Sequence, residues 1–224
     1  MESARDRRWV LIPVATMVLT VFYYLMRADA VGVSSAGRDW TPMTGGPLPA
    51  WAHFGASALL LAVIPTLVAR VGFGARLADL GLGLGKAKPG VLLVLISLPI
   101  AVAAGAIAAA TPAMRAVYPL YPGAARDSFA AYAGLAFLYY GAWEVLFRGV
   151  LLFGLRAHLG ETTANVLQTA LSVLAHFGRP WNETVAAIPA GLVFGKVDVK
   201  LGSVWYVAVI HWVVGASMDW FILR

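Results

Sequence analysis

The stretch SFAAYAGLAFLYYGAWEVLFRGVLLFGL, residues 128–155, decides how this chain must fold. It exceeds the roughly 20 apolar residues that carry a helix across a bilayer. Yet Glu144 and Arg148 stand in its interior. Charges at that depth are expensive and need a partner or a task. Their i, i+4 spacing puts them on one helix face, where they can pair. Tyr140 extends that face one turn back. Taken alone, the two charges are satisfied by a structural ion pair that locks a bundle.

Working outward, apolar runs recur along the chain at residues 9–26, 51–69, 90–110, 162–176, 184–195 and 203–223. The composition agrees: 60% of residues are hydrophobic and only 12% charged, against about 25% charged in a soluble domain. In water such a surface would be one continuous apolar patch. The expected fold is all-α, a polytopic transmembrane bundle of about seven to eight helices around a polar intramembrane cavity. The run at 9–26 follows Arg5, Arg7 and Arg8, but it is longer than a signal-peptide core and no small-residue cleavage site follows, so it reads as an uncleaved first helix. Segments 29–49, 72–89 and 111–127 carry Gly, Pro and polar residues that stop helices, and 72–89 has room for a short surface helix.

With no cysteine, disulfides and thiolate metal sites are excluded. The net charge of +6 is spread as single basic residues between apolar runs. That pattern suits topology control and not a nucleic-acid face, so the bilayer is the expected partner. Arg5, Arg7, Arg8, Arg70, Arg76, Lys86, Lys88, Arg156, Lys196 and Lys200 gather on one side if the N-terminus is cytoplasmic, and Arg27, Arg38, Arg115, Arg126, Arg179 and Arg224 fall on the other. The bias favours a cytoplasmic N-terminus.

Two further polar stripes have the same spacing of four. Gln168, Ser172 and His176 share one face of the fifth run, and His211, Gly215 and Asp219 share one face of the last. Gly215 leaves room for another group to approach between its polar neighbours. Three stripes on separate helices can face one cavity. Ala187, Gly191 and Gly195 form a small-residue stripe for close helix packing. Glu183 suits a helix N-terminus after Asn182, or the orientation of His176. His53 and His158 lack polar stripes and read as structural.

A carboxylate with a histidine can deprotonate water for attack on a peptide carbonyl, and a second imidazole can steady the oxyanion. Glu144, His176 and His211 are the catalytic candidates, with Arg148 tuning Glu144 and with Glu183, Asp219 and Ser172 in support. A Glu and two His also form a possible metal-ligand set. Ligands drawn from three distant runs rank it below metal-free catalysis, and no cofactor is expected. No catalytic Cys, GxSxG, HExxH or P-loop is present.

These residues resemble a known family. Trp143 to Gly149, WEVLFRG, is similar to the first motif, EExxxRG, of the CPBP family of CAAX-protease and bacteriocin-processing membrane proteins, also called Abi. His176, after Gln168 and Ser172, is similar to the second motif, FxxxH, and His211 to the third, HxxxN. The resemblance covers about residues 80–224 and makes that segment a catalytic core, with 1–79 an N-terminal pair of helices and a cytoplasmic loop. It implies glutamic-type intramembrane endoproteolysis. Glu144 would then activate water with His176, His211 would serve the oxyanion, and the partner would be a protein or peptide substrate in the membrane. Trp143 replaces the first Glu of the motif, Ser172 its Phe, and Gly215 its Asn, which removes an oxyanion partner. The string HFGRP at 176–180, with Glu183, His211-Trp212 and Asp219, looks like a branch that carries WExxFRG, in which Glu183 and Asp219 stand in for the missing groups. The expected setting is a bacterial inner membrane, which argues against prenylated substrates. The alternatives are a catalytically inactive scaffold or immunity protein of the same fold, and a small transporter using the polar groups as a proton relay.

Overall fold

The structure, a computed structural model, describes residues 8–26 and 49–224. The loop expected at 29–49 lies outside these residues save for Pro49, as do Arg5, Arg7, Arg27 and Arg38. The described chain is helical with no strand: α1 (Leu11–Met26), α2 (Ala50–Phe73), α3 (Ala87–Ala109), α4 (Pro112–Arg115), α5 (Pro122–Asp127), α6 (Phe129–Leu159), α7 (Glu161–Ala175), α8 (Trp181–Leu201) and α9 (Trp205–Ile222).

Every apolar run read from the sequence forms a helix. Four of them, α2, α3, α6 and α9, are long and apolar enough to cross a membrane. The protein is an integral membrane protein. Helix α1 has 16 residues and α7 has 15. At 1.5 Å per residue both fall short of a hydrocarbon core about 30 Å thick. Helix α8 runs from Trp181 to Leu201, past both ends of the expected 184–195, and carries Lys196, Asp198 and Lys200 in its last turns. The segment at 72–89 contributes only a 3-10 turn, Leu77–Leu80.

Helix α6 is the axis of the bundle. Buried residues make up 72% of its most apolar window, against 11% for α3. Ser128 starts it, its Oγ accepting from the Ala131 amide at 3.4 Å. Leu146, Phe147, Val150, Leu151 and Leu152 are fully buried and pack with Leu11 and Ala15 of α1 and Leu61 and Ala69 of α2 in one core. The first two helices therefore brace the central one. Helix α3 presents Ala101, Gly105 and Ala109 inward and Leu95, Ile96, Ile100 and Ile107 outward. A bilayer accepts that apolar outer face, and water would not.

Within α6 the nine residues Val145–Phe153 form a π-helical stretch. Such stretches inside α-helices are rare and collect at functional sites. Gly149 lies in it, and a Cβ there would stand 3.2 Å from the Leu80 carbonyl oxygen. The missing side chain admits the 77–86 segment against the helix. That segment is stitched to the start of α9. The Val204 amide donates to Gly81 O at 3.0 Å, the Trp205 indole to Leu82 O at 3.0 Å and the Tyr206 hydroxyl to Leu84 O at 2.7 Å. The backbone thereby fixes α9, and His211 with it, relative to α6.

Candidate active site

Glu144 is the last residue before the π stretch, and it is fully buried. Its Oε1 accepts from Arg148 Nη1 at 3.3 Å and lies 2.7 Å from Nδ1 of His211. Its Oε2 is 3.2 Å from Arg148 Nε but is not hydrogen-bonded. A buried ion pair recovers its desolvation cost only with good geometry and further hydrogen bonds. Here one oxygen takes two donors and the other keeps its lone pairs open.

His176 closes α7. Its Nδ1 lies 2.7 Å from the Ser172 carbonyl oxygen, which can only accept. The N–H is therefore on Nδ1, and Nε2 of the neutral ring carries the lone pair. Nε2 is 4.0 Å from Glu183 Oε1, and the ring stands edge-on to Trp143 at 5.0 Å between centroids. His176 and His211 are near enough to interact electrostatically. No hydrogen bond joins Glu144 to His176 among the described residues. The direct partner of Glu144 is His211.

Glu183 lies in the first turn of α8 and accepts from the Tyr118 hydroxyl at 2.8 Å. Burial pushes the Tyr118 phenol up, which keeps it a donor. Arg179 lies over the Tyr118 ring at 5.6 Å, within electrostatic range of Tyr139. This cluster beside His176 was not visible in the sequence. Tyr118 and Arg179 sit in loops without periodicity, and Tyr139 is one residue off the Glu144 stripe.

Asp219 does not bond His211. Its Oδ2 accepts from the Tyr132 hydroxyl at 3.0 Å in a buried pair between α6 and α9. Tyr132→Phe should therefore cost about 1–3 kcal/mol of stability by stripping a buried carboxylate of its donor, read as a lower thermal transition in detergent. Gln168 leaves the expected catalytic face. Its amide nitrogen is within 3.1 Å of Gly191 O, while Asn165 donates to Leu192 O at 2.9 Å, so the two clamp α7 to α8. A Cβ on Gly191 would meet Thr169 and one on Gly195 would meet Asn165, so the small-residue stripe is used for close approach. His53 is packed among Phe22, Phe54, Tyr121 and Tyr139.

Asp198 was missed. It is fully buried, neither carboxylate oxygen has a hydrogen-bond partner, and it lies within electrostatic range of Glu144 and Arg148. In sequence it reads as the polar end of α8, between Lys196 and Lys200. No group of three His, Asp or Glu side chains among the described residues is arranged to hold a metal ion, so the Glu/His/His ligand set is not assembled.

Polar faces of α6 and α9 thus meet at one buried carboxylate, with motifs in the order EVLFRG, H, H along the chain. Residues 125–217 match the family model described as Type II CAAX prenyl endopeptidase Rce1-like. The match supports the CPBP, or CAAX-protease, family. No curated protein and no solved structure matches it. The CPBP match spans α6 through most of α9 and includes Glu144, Arg148, Ser172, His176, Glu183 and His211. Asp219 lies two residues beyond it.

Proposed function

We propose that this protein is an intramembrane endopeptidase that cleaves membrane-associated or C-terminally anchored proteins, with residues 80–224 as the catalytic core. The observation that carries this reading is the Glu144–His211 contact of 2.7 Å, with His176 within electrostatic range of His211. Glu144 takes the proton of a water that His176 Nε2 holds, and the water attacks the carbonyl carbon. His211, protonated and donating Nδ1–H to Glu144, has Nε2–H left for the carbonyl oxygen. Arg148 holds Glu144 ionised, and Glu183 orients His176. The chemistry runs on side chains alone. The setting is a bacterial inner membrane with the N-terminus cytoplasmic.

The test uses the full chain in liposomes with two internally quenched peptides, one ending in a farnesylated CAAX sequence and one in an apolar helix. Glu144→Gln and His176→Ala should each lower cleavage at least ~100-fold, the scale of a lost general base. His176→Ala should leave the thermal transition nearly unchanged, because its ring is partly exposed. Cleavage that persists in both variants sinks the assignment. A second reading, an inactive membrane scaffold, draws on Trp143: its indole packs on His176 at the motif position where the family has a carboxylate.

A further inference from the structure

The oxyanion side of this site is where the sequence left a gap. Peptide-bond attack moves a charge onto the carbonyl oxygen, and preorganised donors are needed where it develops. His211 supplies one. Gly215, one turn further along the same face of α9, supplies none.

The volume Gly215 leaves free is not empty. A Cβ built on it would overlap the hydroxyl and Cζ of Tyr140. Tyr140 lies on α6 one turn before Glu144, so its phenol enters from the helix that carries the carboxylate. Its ring stands edge-on to His211, 4.9 Å between centroids at 65°. The neighbouring phenols are committed: Tyr118 donates to Glu183 and Tyr132 to Asp219. The Tyr140 hydroxyl makes no hydrogen bond with any described residue. The side chain is part-buried, and its hydroxyl is free to donate to an incoming acceptor. A phenol hydroxyl can donate a hydrogen bond.

Resting on the peptidase reading, we infer that Tyr140 is a catalytic residue: its hydroxyl donates to the carbonyl oxygen of the scissile bond, beside His211, in the space that Gly215 opens. The water oxygen bonds to the carbonyl carbon, and the π pair moves onto the oxygen. That oxygen is held by Tyr140 Oη–H and His211 Nε2–H. The water proton goes to Glu144, while His176 Nε2 holds the water. When the tetrahedral carbon collapses, the C–N bond breaks, the amine leaves with that proton, and Tyr140 keeps its own throughout.

The experiment compares Tyr140→Phe with wild type on the two quenched peptides in liposomes. The expected result is a kcat lowered roughly 10²–10³-fold, the scale of one oxyanion donor, with KM within about twofold and the thermal transition unmoved. The exchange Tyr140→Ala with Gly215→Asn returns an amide donor to the same place, and should regain at least ~10-fold in kcat over Tyr140→Ala alone. Wild-type kcat in Tyr140→Phe overturns the inference. So does a loss that lies wholly in KM or that tracks a lower thermal transition. Glu144→Gln runs beside them to separate the two claims. If Glu144→Gln is dead while Tyr140→Phe cleaves normally, only the role of Tyr140 falls. If Glu144→Gln cleaves normally, the peptidase reading falls and takes this inference with it.

Discussion

Glu144→Ala is expected to destabilise the fold by about 3–5 kcal/mol, because it leaves the Arg148 guanidinium buried without the carboxylate it pairs with directly. Both side chains are inside the central helix, 0% and 3% exposed. Neither can reach water by a small rotation, so truncation does not merely remove an attraction. It strands a cation and orphans Nδ1 of His211 as well. Arg148→Ala should cost a similar amount for the mirror-image reason. The double variant Glu144→Met with Arg148→Met should recover most of that loss, since well-packed apolar pairs replace buried ion pairs at little or no cost. A thermal-denaturation cycle in detergent reads the coupling. Single losses that simply add would mean that the two side chains do not pair. The same cycle separates fold from chemistry: the Met/Met protein should be folded and unable to cleave, while Glu144→Gln should be inactive with a smaller stability loss.

This pair was legible in the sequence because it depends on one spacing within one helix. Charges do not enter an apolar run without a reason, and i, i+4 names the partner. The His211 contact was legible only in part. A stripe of His211, Gly215 and Asp219 said that α9 turns a polar face inward, but not toward which group. The structure gives Glu144 to His211 and gives Asp219 to Tyr132. That outcome depends on the rotation and depth of α9 relative to α6, which the Gly81 to Lys86 segment sets by offering backbone carbonyls to Val204, Trp205 and Tyr206. Backbone acceptors carry no side-chain signature, so no pattern announced them. The gap at Gly215 was likewise readable as room for another group, and the occupant, Tyr140, had already been placed on the Glu144 stripe. Joining the two needed the interhelical distance. Asp198 shows the opposite failure. Flanked by lysines it looks solvated, and only the bundle reveals that its own face of α8 is turned inward.

Gly105→Ala should be among the most damaging of the smallest substitutions, for a reason that again lies between helices. A Cβ at Gly105 would stand 2.7 Å from Val214 O and 2.8 Å from Met218 N. Those are backbone atoms of α9, and no side-chain rotation relieves them. Helices in lipid associate through such close approaches, since lipid tails offer no hydrophobic drive between them. The added methyl must push α9 outward along its length. Overpacking of that kind costs about 1–3 kcal/mol. Here it also moves the backbone on either side of Gly215, and so shifts His211 away from Glu144. Cleavage in the liposome assay should therefore fall by more than the stability loss explains. Gly134→Ala is the matched control. It too lies inside a helix, but nothing stands within 4 Å of a Cβ there. Its only change is helix propensity, a gain of about 0.8–1 kcal/mol over glycine, with the cleavage rate unaltered. If Gly105→Ala melted and cleaved like Gly134→Ala, the close contact of α3 with α9 would not be what holds the site together.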